Sequence, residues 1–587
     1  MLHSATASEI EEEVGNMSFT SCLSVGLTQG AAANVDSIAH AMNEEYLEAN
    51  RTTANSEVSS EMESEMMLDE DVKSIVKRFI VTGYPLSLST LAQFSLNTVI
   101  IAVVGGMLGE AELGGASLAL GLINATGFAF GAGLCGALET VLSHAFGSHK
   151  RNLENQQKKR LFYLQRHPGE EVPEVEEQPL YIYGIYAQRM MLILLVTAIP
   201  LGLILAFTPD AMGLMNANPL AVHATGQFCR IALYGIPPTL YYQLIQRYYS
   251  CQHITVPLSI AMVCAAILNP ILQISFISAF GFYGSPLAWL TLMILICLGL
   301  TFYLYHSGLY KRTWGGWSKK GTQNVGGLLA IALPSMGVMM SEWVALEVNA
   351  LAGAFAETTP LAAYSITLQV FGIMWGIGSG VMILACVFVG NALGSGNPLL
   401  ARKIAFVAIG VMFCVALIDV LIVFALSPII PKLFSKSEEV ASIYRRLMYV
   451  VMPYHIFDTF QSTVMGILRG CGLQKLGAAI ICSAFCVVGV PLSFLLFFHF
   501  EIGVIALWIG PFVGVVVVGV PLYIYILLYY IDWEGLKAVE EEVPDEAEVE
   551  SPSSPTTGVA PPSGGNAKVK GVEEDTKWDS VEFLTPP

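Results

Sequence analysis

The most unusual residues of this chain are carboxylic acids inside long apolar segments. Glu342 and Glu347 lie in the segment ALPSMGVMMSEWVALEVNALAG, and Asp458 lies in YVVMPYHIFDTFQSTVMGILRG. An ionisable side chain within lipid is costly, so it is a functional candidate by default. A buried carboxyl group can take up and release a proton near physiological pH, and a carboxylate attracts a cation strongly where the dielectric constant is low. A site with two such groups could therefore exchange a cation for a proton.

Three further residues could contribute to such a site. Gln369 could form a hydrogen bond to a substrate or to a neighbouring helix. Glu139 lies near the end of its apolar segment, where the burial of a charge costs less. Trp343 could bind a cation over its ring face, or it could pack as an ordinary interfacial aromatic residue. For each acid, the alternative role is that of a carboxyl group that holds helices together. Glu342 and Glu347 lie on adjacent faces of their helix because five residues rotate a helix by about 140° net.

The composition indicates that most of the chain lies in a membrane. Of 587 residues, 54% are hydrophobic and 13% are charged, and the mean hydropathy is +0.60. A soluble globular chain carries about 25% charged residues. The sequence contains no P-loop, no HExxH, no paired CxxC and no basic, aromatic-rich module for nucleic acid. We therefore expect no enzyme, no metal ion or other cofactor, and no nucleic-acid partner.

Twelve segments are long and apolar enough to cross a bilayer, which requires about 20 residues each. Six precede residue 310 and six follow residue 325. They are predicted at 75–104, 113–146, 184–208, 221–249, 254–280, 283–309, 326–355, 360–391, 400–427, 438–468, 473–499 and 503–531.

The basic residues of the connections indicate the orientation. Those that follow even-numbered segments are Lys150, Arg151, Lys158, Lys159, Arg160, Arg247, Lys311, Arg312, Lys319, Lys320, Arg402, Lys403, Arg469 and Lys475. Connections after odd-numbered segments are mainly acidic, with Lys432 and Lys436 as exceptions. Because cytosolic loops carry an excess of Lys and Arg, we expect these even connections and both termini in the cytosol.

The second half of the chain repeats the first. ELGGAS at 112–117 matches PLAAYS at 360–365, FGS at 146–148 matches LGS at 393–395, and RYYSCQH at 247–253 matches RGCGLQK at 469–475. An even number of segments in each copy makes the copies parallel, and such halves enclose a central cavity. The predicted fold is therefore all-α, with twelve transmembrane helices in two pseudo-symmetric six-helix lobes.

The domain boundaries follow from the repeat and the charge distribution. The lobes are predicted at 72–310, with an extended cytosolic loop at 148–182, and at 326–531, with a cytosolic connection at 311–325. Residues 1–71 contain 15 acidic side chains and one basic side chain, and residues 532–587 are acidic and rich in Pro and Ser. Both tails are poor in aromatic residues, so we expect them to be disordered.

Several motifs resemble those of the eukaryotic branch of the multidrug and toxic compound extrusion (MATE) family. They are ELGGASLALGLINATGFAFGAGLCGALETVLSHAFGS, WGGWS, ALPSMGVMMSEWVALEV, VGNALGSGN and ILRGCGLQKLGA, in that order between residues 112 and 478. The resemblance implies a twelve-helix exporter that exchanges its substrates for protons, or for sodium in some members. It also implies that Glu342 and Glu347 are the acids essential for exchange, with Gln369 and Asp458 at the positions of two further site residues.

The sequence departs from the family pattern at several of these positions. Gln369 stands where animal members often have an acid, and Val344 replaces the second tryptophan of EWW. In the first lobe His144 replaces a glutamine, and Asn97 stands where bacterial relatives have an acid. We therefore expect proton coupling in the second lobe.

The leading hypothesis is a monomeric proton-coupled antiporter that exports small organic, often cationic, compounds, with sodium as a further candidate ion. The alternatives are an exporter of organic anions or conjugated metabolites, a lipid flippase of a related fold, and a scaffold that acts through its acidic tails. The membrane could be the plasma membrane or that of an acidic organelle such as a vacuole or lysosome.

Overall fold

A computed structural model describes residues 70–166, 180–214, 219–353, 355–434 and 437–536. Within these ranges the chain forms helices and turns and no strand. The predicted disordered tails lie outside the described residues, except for residues 70–71 and 532–536.

The first half contains six long helical segments. They are α1 (Val72–Met107), α2 (Glu110–Ile123, a π-helical turn Asn124–Ala129, and Phe130–Arg166), α3 (Ile182–Leu214), α4 (Pro219–Ala232, a 3₁₀ turn Leu233–Gly235, and Ile236–Ser250), α5 (Val256–Phe280) and α6 (Gly284–His306). Each overlaps its predicted segment.

The second half repeats this pattern. Its segments are α7 (Val325–Gly353), α8 (Thr358–Gly394), α9 (Pro398–Leu426), α10 (Glu438–Gly470), α11 (Gln474–Cys482, Ser483–Gly489, Val490–Phe494 and Leu495–His499) and α12 (Ala506–Gly514, Val515–Gly519, Val520–Tyr525 and Ile526–Tyr530), with alternating α and π stretches in the last two. Short helices at Leu309–Thr313 and Ile430–Phe434 lie in the connections.

Length and composition alone identify nine membrane-spanning helices in the described part of the chain. One of them, Val256–His306, contains both α5 and α6, so it accounts for two segments. The remaining two segments, α4 and α10, are more polar because they contain Arg247 and, in α10, Asp458 and Arg469. These residues are buried inside the protein and do not face lipid.

The stretch 148–182, predicted as a loop, is helical in its first part. Helix α2 continues without a break to Arg166, and residues 167–179 lie outside the described residues. Residues 149–166 contain neither Gly nor Pro, and Lys150 pairs with Glu154 across one turn at 3.8 Å. Strong helix formers and such i,i+4 pairs favour continuation of the helix. The prediction of a loop over these residues was wrong because it followed polarity rather than propensity.

The two halves form the two lobes. In the first, α1 packs on α5 and α2 packs on α4; in the second, α8 packs on α9 and α10, and α7 packs on α11. The lobes meet where α1 and α2 contact α7 and α8. The residues where these four helices meet enclose the space described next.

Candidate functional site

A central cavity lies between the lobes and contains about 780 Å³ of space, part of it open to solvent. Helices α1, α2 and α4 of the first lobe and α7, α8 and α10 of the second contribute to its walls. Much of the lining is apolar, with scattered amides such as Gln93, Asn97 and Gln243. A cavity of this kind can hold a small organic molecule and orient it through a few polar groups.

One wall of the cavity is aromatic. The rings of Trp343 in α7 and Phe94 in α1 are stacked, with centroids 6.3 Å apart and an interplanar angle of 6°. Trp375 in α8 meets Trp343 edge-on at 5.9 Å and meets Phe94 edge-on at 6.4 Å. The three rings come from both lobes, so a molecule against them contacts both. The placement of Trp343 is compatible with the predicted binding of cations over its ring face.

Behind this wall, the second lobe encloses two acids. Glu342 in α7 is 6% exposed and Asp458 in α10 is fully buried, and the two carboxyl groups interact electrostatically. The hydroxyl groups of Tyr454 in α10 and Tyr523 in α12 interact with both carboxyl groups. No Lys or Arg of the described residues forms an ion pair with either acid. A buried carboxylate without a basic partner is costly, so a bound proton or another cation would stabilise this pair.

Glu347 and Gln369 lie apart from that pair, and both side chains are exposed. Met339 and Trp343 line the cavity from α7, and Glu347 follows on the same helix face one turn beyond Trp343. Gln369 is one turn from Gly372, which approaches Phe94. The hydroxyl group of Tyr364 interacts with Glu347. Both polar side chains therefore lie nearer the Gly353–Thr358 end of the bundle than the aromatic wall does.

Glu139 is fully buried at the opposite end of the cavity, where it contacts two arginines. Its carboxylate lies 3.2 Å from Arg247 Nε in α4 and 3.0 Å from Arg469 Nη1 in α10. Arg247 Nη1 also donates to Gln243 Oε1 at 2.7 Å and to Gln246. We call Glu139, Arg247 and Arg469 the cavity floor. The prediction that both arginines are loop charges missed their role, although the matched motifs that begin at 247 and 469 contain the signal.

The acid of a second buried pair was also missed. His455 Nε2 in α10 lies 3.6 Å from Asp419 Oδ2 in α9, and both side chains are buried. Asp419 is the one acid in the apolar sequence of α9, so the criterion that selected Glu342 would have found it. The pair places a further titratable group one turn from Asp458.

Beyond the floor, the lobes are in close contact at the end of the bundle that carries the connections after even-numbered helices, which we call the even-loop end. Thr140 Oγ1 donates to the Arg469 carbonyl at 2.9 Å, and His144 Nε2 lies 2.7 Å from the Gly470 carbonyl. A side chain added at Gly394 of α8 would overlap the backbone carbonyl of His144 in α2. The cavity is therefore closed at the even-loop end.

His253, in the connection between α4 and α5, adds to this closure. Its Nε2 lies 2.6 Å from the side-chain amide of Asn391. When the Asn391 nitrogen donates to the Ser143 carbonyl at 2.7 Å, the Asn391 oxygen accepts a hydrogen bond from His253 Nε2. Its ring packs on Phe388 at 5.0 Å. Burial and the charges of Arg78 and Lys150 lower the pKa of His253 from 6.5 to about 4. The ring is therefore neutral at physiological pH.

This lowered pKa predicts a pH dependence of stability. Between pH 6.5 and about 4 the unfolded chain binds a proton at His253 that the folded chain does not, so native stability falls as the pH falls. In His253→Gln the amide retains a donor for Asn391 but cannot titrate. We expect the melting temperature of the wild type in detergent to fall, from pH 7 to pH 4.5, on the order of 2 °C more than that of the variant. Equal decreases would contradict a neutral, buried His253.

In the part of the chain that the structure describes, twelve helical segments in two repeated lobes surround a central cavity that is closed at one end. This architecture defines a multi-pass integral membrane transporter. The MatE family model matches residues 85–164, 182–274 and 334–495, which together exceed half of the chain. The chain belongs to the multidrug and toxic compound extrusion family.

Individual relatives agree with this assignment. The chain is 30% identical to multidrug and toxin extrusion protein 1 of Danio rerio over 477 residues, which cover 81% of this chain and 75% of that protein. It is 28% identical to multidrug and toxin extrusion protein 2 of Mus musculus, with coverage of 82% and 81%. The fold is similar to that of the eukaryotic MATE transporter AtDTX14, with a TM-score of 0.68, 23% identity and coverage of 78% of this chain and 97% of that one.

Proposed function

We propose that this transporter is a proton-coupled antiporter that exports small organic, often cationic, compounds. The observation that carries the proposal is the Glu342–Asp458 pair, which is buried between helices of the second lobe without a basic partner among the described residues. Protons and an organic cation can neutralise such a pair in turn. Competition between them couples the exit of one to the entry of the other.

The sidedness of exchange follows from the charge distribution. Basic residues are concentrated in the connections of the even-loop end, so we assign that end to the cytosol. The closed even-loop end then corresponds to an outward-open state. In this state protons from outside reach the acids, and Glu347 and Gln369 lie along the entry path beyond the aromatic wall. The transporter would reside in the plasma membrane or in the membrane of an acidic organelle, since at both membranes the proton gradient is directed towards the cytosol.

The aromatic wall supports organic cations as substrates. Phe94, Trp343 and Trp375 line the cavity, and a cation over the face of an aromatic ring is stabilised by about 0.5–2 kcal/mol. Both lobes contribute aromatic rings to this wall. Rocking of one lobe against the other would therefore separate the rings and release the substrate.

Transport by the purified full-length chain in proteoliposomes tests the proposal. An acidic interior is imposed, tetraethylammonium is added outside, and its uptake is followed with and without sodium. Uptake that requires the proton gradient and is unaffected by sodium supports proton exchange. Uptake that follows a sodium gradient and ignores pH would contradict it, and absence of uptake under both gradients would favour organic anions or lipids as substrates.

A further inference from the structure

The floor of the cavity carries a charge that cation–proton exchange does not use. Among the described residues that line the cavity, Glu139 is the one acid, and Arg247 and Arg469 are the two bases. Two guanidinium groups therefore face one carboxylate, and one net positive charge remains. Both arginines are about 5% exposed, so bulk solvent screens neither positive charge.

The hydrogen-bonding capacity of the floor is incompletely used. Nε of Arg469 is buried and has no hydrogen-bond partner among the described residues. Nε of Arg247 lies 3.2 Å from the Glu139 carboxylate but lacks the geometry of a hydrogen bond. A guanidinium group has five N–H donors in a planar fork that matches a carboxylate, so a second carboxylate could bind here with two bonds.

The position of the cavity floor limits which molecules could carry the carboxylate that binds there. The same cavity carries the aromatic wall of Phe94, Trp343 and Trp375, which suits a flat aromatic body. The acid pair behind the wall suits a cationic group. A molecule with an aromatic body, a positive charge and a carboxylate would satisfy all three features.

We propose that Arg247 and Arg469 bind the carboxylate of aromatic zwitterionic substrates, and that Glu139 holds the two guanidinium groups in position for it. This inference rests on the proposed function and assigns the two arginines to the carboxylate group of the substrate. The arginines occupy matched positions in the repeated motifs of the two lobes, so each lobe contributes one of them. A carboxylate bound to both stabilises the closed floor, since an uncompensated buried charge is costly.

Two matched compounds test this inference: phenyltrimethylammonium and its para-carboxylate, which share the aromatic body and the fixed positive charge. Their KM values are measured in proton-driven uptake for the wild type, Arg247→Gln and Arg230→Gln. Arg247→Gln leaves Glu139 paired with Arg469 and removes the net charge, whereas Arg230 is an exposed arginine of α4 outside the cavity lining. We expect the ratio of the KM of the carboxylate to that of the cation to rise about tenfold in Arg247→Gln and to stay at the wild-type value in Arg230→Gln.

Binding in detergent provides a second readout that needs no proton gradient. Quenching of tryptophan fluorescence by the carboxylate compound should weaken about tenfold in Arg247→Gln and recover in part in Arg247→Lys, which restores the charge without the fork. An unchanged ratio of KM values together with unchanged binding would overturn the inference while leaving cation export intact. Equal losses for both compounds would also overturn it, because they would indicate a structural role. Arginine-dependent binding without proton-driven uptake of either compound would support the subsite and contradict the proposed coupling.

Discussion

Replacement of Glu342 by Gln is expected to reduce proton-driven uptake of tetraethylammonium to background, while the protein still reaches the membrane. The amide has almost the volume of the carboxyl group but cannot bind a proton or neutralise a cation. The remaining Asp458 carboxyl group would then lack the partner with which it interacts. Uptake into acid-loaded proteoliposomes, with equal amounts of reconstituted protein, is the measurement.

A matched variant separates coupling from general damage. Glu439→Gln makes the same change at an exposed glutamate in the first turn of α10, outside the acid pair, and should retain wild-type uptake. Proton-driven transport by Glu342→Gln at the wild-type rate would assign this glutamate a structural role instead.

The second large effect is expected at the even-loop end. In Gly394→Val the new side chain would overlap the carbonyl group of His144 unless α2 and α8 separate, so closure of this end is prevented. Because alternating access requires closure at each end in turn, uptake should fall to background. Hydrogen exchange measured by mass spectrometry should show faster deuterium uptake in residues 139–147 than in the wild type.

Gly410→Val serves as the control for this change. Gly410 lies in α9, and a side chain added there meets no other atom within 4 Å. The control should transport normally and show unchanged exchange in residues 139–147. Normal transport by Gly394→Val would mean that the close contact between the lobes is not required for the transport cycle.

Much of the fold could be predicted from the sequence because lipid imposes one dominant rule. Apolar segments of bilayer length must be helices, and all twelve predicted segments overlap helices of the structure. The prediction was wrong at 148–166, where polarity in the sequence does not distinguish an exposed helix from a loop. Helix propensity and the Lys150–Glu154 pair contain that information.

Three buried acids could be selected from the sequence, but their grouping could not. Intramembrane charge identified Glu342, Asp458 and Glu139, but it could not indicate that the first two interact while the third binds arginines across the cavity. Helical rotation separates Glu342 from Glu347, and the structure gives the consequence: one is buried and the other is exposed. Arg247 was missed because a basic residue at a helix end is ambiguous until its partners are known.

Release of protons from the purified transporter would test the central claim most directly. The protein is held in detergent in a weakly buffered solution, tetraethylammonium is added, and the pH change is recorded together with substrate binding. Competition for the Glu342–Asp458 pair predicts that the wild type releases protons as the cation binds, and that Glu342→Gln releases none. Saturable binding of the cation to the wild type with no release of protons at any pH between 6 and 8 would contradict exchange at this pair.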